Sequence, residues 1–140
     1  MNESIQIQAT GHTNVTARHR STLVIRSDDY LTPAGDCIAA INADMTPADL
    51  DRSIVDRIQD PTSTITMQIE SSGHVERIRG RGHPDLILTN ERGFVARTST
   101  YVDDRTLMVS ADGAARDLDR DLVDALAAGE AVTIIITVDR

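Results

Sequence analysis

The sequence predicts an α+β fold, mainly β: sandwich-like, largely antiparallel sheets with two helices, made by internal tandem duplication of a βββαβ-type repeat with pseudo-two-fold symmetry. Three observations predict it. The segment DLDRSIVDRI at 49–58 returns as DLDRDLVDAL at 117–126, about 68 residues later, and a period near half the chain marks a doubled unit. The match extends upstream, with Ala43-Asp44 falling on Ala111-Asp112, Asp36 on Asp104, and, after a small shift, Gly11-His12-Thr13-Asn14 on Gly82-His83-Pro84-Asp85. Period-two alternation of apolar and polar residues then dominates most of what lies between. The expected layout is one domain, 1–140, with repeats at about 3–72 and 73–140.

Each element has a local reason. Ile5, Ile7 and Ala9 alternate with Gln6, Gln8 and Thr10, which predicts a half-buried strand. Gly11-His12 interrupts it, and 15–17 is expected to resume it. A second strand covers 22–26, followed by a turn at Ser27-Asp28-Asp29 and a loop at 33–36. Residues 37–43 are apolar on both faces and predict a central strand. Thr46-Pro47 opens a helix whose inward stripe is Leu50, Ile54, Val55 and Ile58, and Asp60-Pro61 ends it. Ile65, Met67 and Ile69 give the last strand of the first half, before a turn at 71–73. The second half predicts strands at 75–82, 86–88, 94–98 and 106–111, a helix from Asp112 to about Ala128 stopped by Gly129, and a strand at 132–138. Short connections leave no room for crossover helices between most strands, so antiparallel pairing is expected.

Composition narrows the setting. With one Phe, two Tyr and no Trp, the core must be aliphatic. The single Cys37 excludes an intrachain disulfide and a thiolate zinc cluster; its apolar neighbours predict a buried, inert thiol. Every basic side chain is Arg, Asp outnumbers Glu, and the net charge is −8, a surface suited to molar salt and hence to a haloarchaeal cytosol. At about 1 M salt the Debye length is about 3 Å, so that charge does not by itself repel anionic partners. No apolar stretch reaches membrane-spanning length and the N-terminus lacks signal-peptide character, so the expected protein is cytoplasmic. Phosphate loops, nucleophile elbows and HExxH patterns are absent.

Three groups of residues could carry chemistry. Arg77, Arg79, Arg81 and His83 share one side of a strand, as Gln6, Gln8, Thr10 and His12 do in the first half. Guanidinium forks bind oxyanions bidentately, so this face could take phosphate or carboxylate; the plainer alternative is a solvated face whose arginines pair with Asp. His12 and His83, with Asn14 and Asp85 two residues on, could act as acid–base groups or metal ligands, or could fix a bulge through loop hydrogen bonds. Asp44 and Asp112 suit helix capping. Asp36 and Asp104 suit turns, or ligand a metal if they converge with the histidines. Arg18-His19-Arg20 and Arg105 add cations near strand ends, expected to be solvated.

Several motifs in order, Gly11-His12-Thr13-Asn14-Val15 with His19, Gly35-Asp36-Cys37-Ile38 with Ala43-Asp44, Gly80-Arg81-Gly82-His83-Pro84-Asp85-Leu86, and Arg105-Thr106-Leu107 with Ala111-Asp112, resemble the archaeal family DUF371 over nearly the whole chain. The resemblance implies a mainly-β, sandwich-like domain with helices and no established activity. In the family a Lys often follows each Ala-Asp; here Met45 and Gly113 stand there, which weakens a catalytic role for those two positions.

Three functions follow as expectations. The first is a binding module for an anionic ligand, a nucleotide or nucleic-acid backbone, through Arg77, Arg79, Arg81 and His83 with His12, Asn14 and His19. The second is a metal-assisted hydrolase using His12, His83, Asp36, Asp85 and Asp104. The third is a structural adaptor without a small ligand, for which a homo-oligomer is an expected state. No cofactor is specified.

Overall fold

The computed structural model describes residues 2–139. In chain order they form β1 (Asn2–Thr10), β2 (Thr22–Arg26), β3 (Ile38–Ala40), a 3-10 turn at Pro47–Asp49, α1 (Arg52–Ile58), β4 (Thr64–Ser71), β5 (His74–Arg81), β6 (Gly93–Arg97), β7 (Thr106–Met108), a second 3-10 turn at Ala115–Asp117, α2 (Arg120–Ala127) and β8 (Ala131–Asp139). The fold is α+β and mainly β. One sheet runs β1-β8-β4-β5, antiparallel throughout. The other runs β3-β2-β6-β7, antiparallel at its centre and parallel at both flanks. Both orders read the same when β1 to β4 are exchanged one for one with β5 to β8. In the first sheet the opening strand of each half lies against the closing strand of the other, so neither half completes that sheet alone.

Alternation explains the first sheet. Ile65, Met67 and Ile69 on β4 and Val132, Ile134, Ile136 and Val138 on β8 point inward and are buried, while Thr66, Gln68, Thr133 and Thr137 face outward. The second sheet is buried on both sides at its centre: the pairs Leu23–Ala96 and Ile25–Phe94 share one face, and the pair Val24–Val95 sits on the other. These side chains join one apolar cluster with Leu122 and Leu126 of α2 and Ile54 and Ile58 of α1. Burying each large aliphatic side chain contributes about 1.5–3 kcal/mol.

Several expectations need correction. Residues 15–17 and 86–88 form no strand; Ala17 (φ 49°) and Leu88 (φ 54°) adopt left-handed backbone, which ends any extended run. Val15, Ala17, Leu86 and Leu88 are nonetheless buried, so the alternation there comes from a packed loop rather than a ladder. The expected strand at 37–43 keeps only Ile38–Ala40. Ile41 then leaves to bridge Thr10, and Asn42 (φ 56°) turns the chain, just as Val109 bridges Arg81 and Ser110 (φ 51°) turns it. Each expected helix splits into a 3-10 turn and a short α-helix, because Leu50 and Leu118 are extended. Asp44 and Asp112 cap nothing. The Asp44 carboxylate accepts from Gln8 N at 3.0 Å and Asp112 from Arg79 N at 2.9 Å, extending the hydrogen bonding of the edge strands. Asp49 and Asp117 brace the 3-10 turns, accepting from the amides of Thr46 and Ala114 at 2.8 Å each, and Asp119 caps α2, accepting from Asp121 N at 2.9 Å. Gly129 (φ 78°) ends α2 as expected. Cys37 is half-buried rather than buried, and burial raises its thiol pKa.

Candidate functional site

The Gly-His pairs are architectural. Gly11 N donates to Glu130 O and His12 N to Leu126 O, at the end of α2; Gly82 N donates to Ser63 O and His83 N to Ile58 O, at the end of α1. The two histidine amides thus donate to carbonyls in the last turn of a helix, where intrahelical partners run out. The approach is so close that only glycine fits: a Cβ on Gly11 would sit 2.0 Å from Leu126 O, and one on Gly82 would sit 2.3 Å from Ile58 O. Each imidazole turns back on its own loop, His12 Nδ1 accepting from Asn14 N and His83 Nδ1 from Asp85 N, both at 3.0 Å. Those bonds place the lone pair on Nδ1 and the proton on Nε2. The Asp85 carboxylate, 3.9 Å from Nδ1, therefore makes no hydrogen bond to it. The Asn14 side chain donates to Leu31 O at 2.7 Å.

His19 is also committed. Its Nδ1 accepts from Ser21 N at 3.2 Å and Thr22 N at 3.1 Å, shaping the entry to β2. Asn90 does the same at the entry to β6, its Oδ1 accepting from Arg92 N at 2.8 Å and Gly93 N at 3.0 Å. Asp36 takes part through its carbonyl, which accepts from the amides of Arg18 and His19; Asp104 accepts from Asn90 N and, at 3.4 Å, from Asn90 Nδ2. Among the described residues no three His, Cys, Asp or Glu side chains gather as a metal would need.

The strand arginines do share a face. Arg77, Arg79 and Arg81 are all exposed on β5. The ion pairs among described residues involve none of the three, so the idea that neighbouring aspartates neutralise them does not hold. Arg79 and Arg81 line a groove of about 240 Å³ with Thr64, Ser110 and Asp112, and Arg81 Nη1 donates to Thr64 Oγ1 at 3.0 Å.

A larger cavity, about 320 Å³, lies on the Val24–Val95 side of the second sheet. It is lined by Val24, Arg26, Asp28, Asn90, Arg92, Gly93 and Arg105. Its parts come together through pairing: Arg26 stands opposite Gly93 in the β2–β6 ladder, and Val95 N donates to Arg105 O, which brings the start of β7 alongside. Two guanidiniums thus share one carboxylate, and a third arginine, Arg105, lines the same cavity. Asp28 Oδ2 accepts from Arg26 Nε at 2.8 Å and from Arg92 Nη2 at 3.1 Å. Burial by itself would raise the Asp28 pKa; the Arg92 hydrogen bond and the charges of Arg26 and Arg92 outweigh it and hold the carboxyl below its ordinary value. Arg105 reaches outward to Asp103 at 3.2 Å. The Arg26 guanidinium lies 5.3 Å from the Tyr30 ring centre, and Arg92 Nη2 donates to Tyr30 Oη at 3.3 Å. The sequence predicts Arg105 to be a solvated cation and marks none of the others as a site residue. One signal was present: Arg26 with Tyr30 recurs as Arg97 with Tyr101, the same spacing in the second half.

The profile of the family described as "Domain of unknown function (DUF371)" matches residues 7–139. A protein of Methanocaldococcus jannaschii, described as uncharacterized, is 39% identical over 132 residues, covering 94% of this chain and 97% of its own.

Proposed function

The chain belongs to the DUF371 family, and we propose that it works as a binding module for a small anionic ligand held between Arg26, Arg92 and Arg105. The observation that carries this reading is the cationic lining of the cavity, three arginines with the single Asp28 carboxylate among them and Asp103 paired with Arg105 on its outer side. Guanidinium forks bind carboxylate and phosphate oxygens bidentately, and a volume of about 320 Å³ is at the small end of ligand sites. Asn90 and Gly93 complete the lining. Calorimetric titration of inorganic phosphate into the protein tests the reading. Wild type should bind, and Arg92→Ala and Arg105→Ala should each weaken binding about tenfold or more, because each removes a charge-assisted contact. Both side chains are largely solvent-exposed, so stability should hold. Heat of dilution alone from the wild type would sink the reading.

A second reading rests on the arginine face of β5, which makes no ion pair among the described residues. There Arg77, Arg79 and Arg81 would meet a polyanion such as a nucleic-acid backbone, with His83 near the strand end. The triple substitution R77A/R79A/R81A should reduce both the affinity for a labelled oligonucleotide and the salt dependence of binding. A triple variant that binds as the parent does removes this reading.

The matching strand orders support reading the chain as one domain, 1–140, made of one unit written twice. The Lys-free acidic composition supports a salt-rich cytosolic setting. Among described residues no helix is long and apolar enough to cross a membrane.

A further inference from the structure

We infer that the ligand of the Arg26/Arg92/Arg105 cavity is a phosphate monoester carrying a flat aromatic ring, the chemistry of a nucleoside monophosphate, with its ring stacked on Tyr30. This inference rests on the cavity reading and adds the identity of the ligand's far end. Tyr30 is tied to two of the arginines that line the cavity: Arg26 covers its ring at 5.3 Å and Arg92 holds its hydroxyl at 3.3 Å. These contacts fix the ring without enclosing it, for Tyr30 remains 51% exposed. A large aromatic left open beside a cationic cavity is a stacking platform, and base–aromatic stacking tolerates any base. The cavity takes the phosphate. Three arginines and one aspartate line it, and with Arg105 also paired to Asp103 a cationic surplus remains, which suits phosphate oxygens.

The other half supplies an internal control. Tyr101 is 61% exposed and lies under Arg97 at 4.8 Å, but Arg97 is buried and committed to Thr106 and Asp103. Tyr101 therefore has the aromatic surface, but its arginine is buried in that network rather than lining the cavity.

Adenosine monophosphate, ribose 5-phosphate and inorganic phosphate should be titrated into the full chain in parallel. Wild type should bind adenosine monophosphate about tenfold or more tightly than ribose 5-phosphate. Tyr30→Ala should abolish that preference while phosphate binding persists, Tyr30→Phe should keep most of it, and Tyr101→Ala should change nothing. Equal affinities for the two esters in wild type, or a preference that survives Tyr30→Ala, overturn this inference alone. Failure of all three ligands to bind overturns the cavity reading and this inference with it.

Discussion

Arg26 and Arg97 occupy matching places in the two halves, and their fates differ. Both stand on the Val24–Val95 side of the second sheet, and each stacks on a tyrosine four residues later. Arg97 is sealed: its Nε donates to Thr106 Oγ1 at 2.9 Å, its Nη2 to Asp103 at 2.9 Å, and Thr106 in turn donates to Asp103. Arg26 shares Asp28 with Arg92 and lines a cavity together with Arg92 and Arg105. The same framework thus gives one arginine a structural role and leaves the other beside a site. The difference lies in the neighbours. Where one half places Ser21 and Cys37 after the corresponding turns, the other places Arg92 and Arg105.

The largest effect tests how alike the halves are. Gly11→Ala and Gly82→Ala should each cost at least about 3 kcal/mol in denaturant unfolding, since both drive a methyl into a helix-end carbonyl. Tolerance of one and not the other would break the equivalence. Next, Asp103→Ala should cost about 2–4 kcal/mol by stranding Arg97, which is 11% exposed at its side chain. Asp28→Ala should cost about 1 kcal/mol or less because its partners reach water more readily, and it should tighten phosphate binding by removing the competing carboxylate. Equal losses from the two substitutions would erase the contrast. Smaller still, His12→Ala and His83→Ala should each cost about 0.5–1.5 kcal/mol, the loss of one acceptor for a loop amide, and leave phosphate affinity unchanged.

The smallest expected effect is in acid. Burial works to raise Asp103, but the Thr106 hydrogen bond, the Arg105 amide and the charges of Arg97 and Arg105 bring it below its ordinary value, as Asp28 is brought below its own. A carboxyl depressed by folding contributes stability above its unfolded value of about 3.9, and that contribution is lost as pH falls through the folded value. Melting temperature should therefore drop below about pH 4, and Asp103→Asn should flatten the drop more than Asp28→Asn. The reverse order would mean that Asp28 is the more tightly held of the two.

Much of the fold was legible. β1, β4, β5 and β8 show period-two alternation because one face of their sheet is solvated and the other packed. The same alternation misled at 15–17 and 86–88, since burial of every second side chain is also what a loop pressed on a core displays. The Gly-His pairs stood out as special, and a close backbone approach was one expected reason for the glycines. What they approach, the C-terminal turn of a helix from the opposite half, follows only from the exchanged strand pairing. Arg26, Arg92 and Arg105 carry no mutual spacing that a linear reading could use.

Local pattern by itself determined the apolar faces, the turns and the doubling of element order, because these depend on near neighbours along the chain and on where each side chain must point. Tertiary structure alone decided which arginine became sealed and which was left facing open space. Asp103 and Thr106, which seal Arg97, lie close to it along the chain, whereas Arg92 and Arg105 reach the Arg26 cavity from the other half, and that meeting is settled by distance in space.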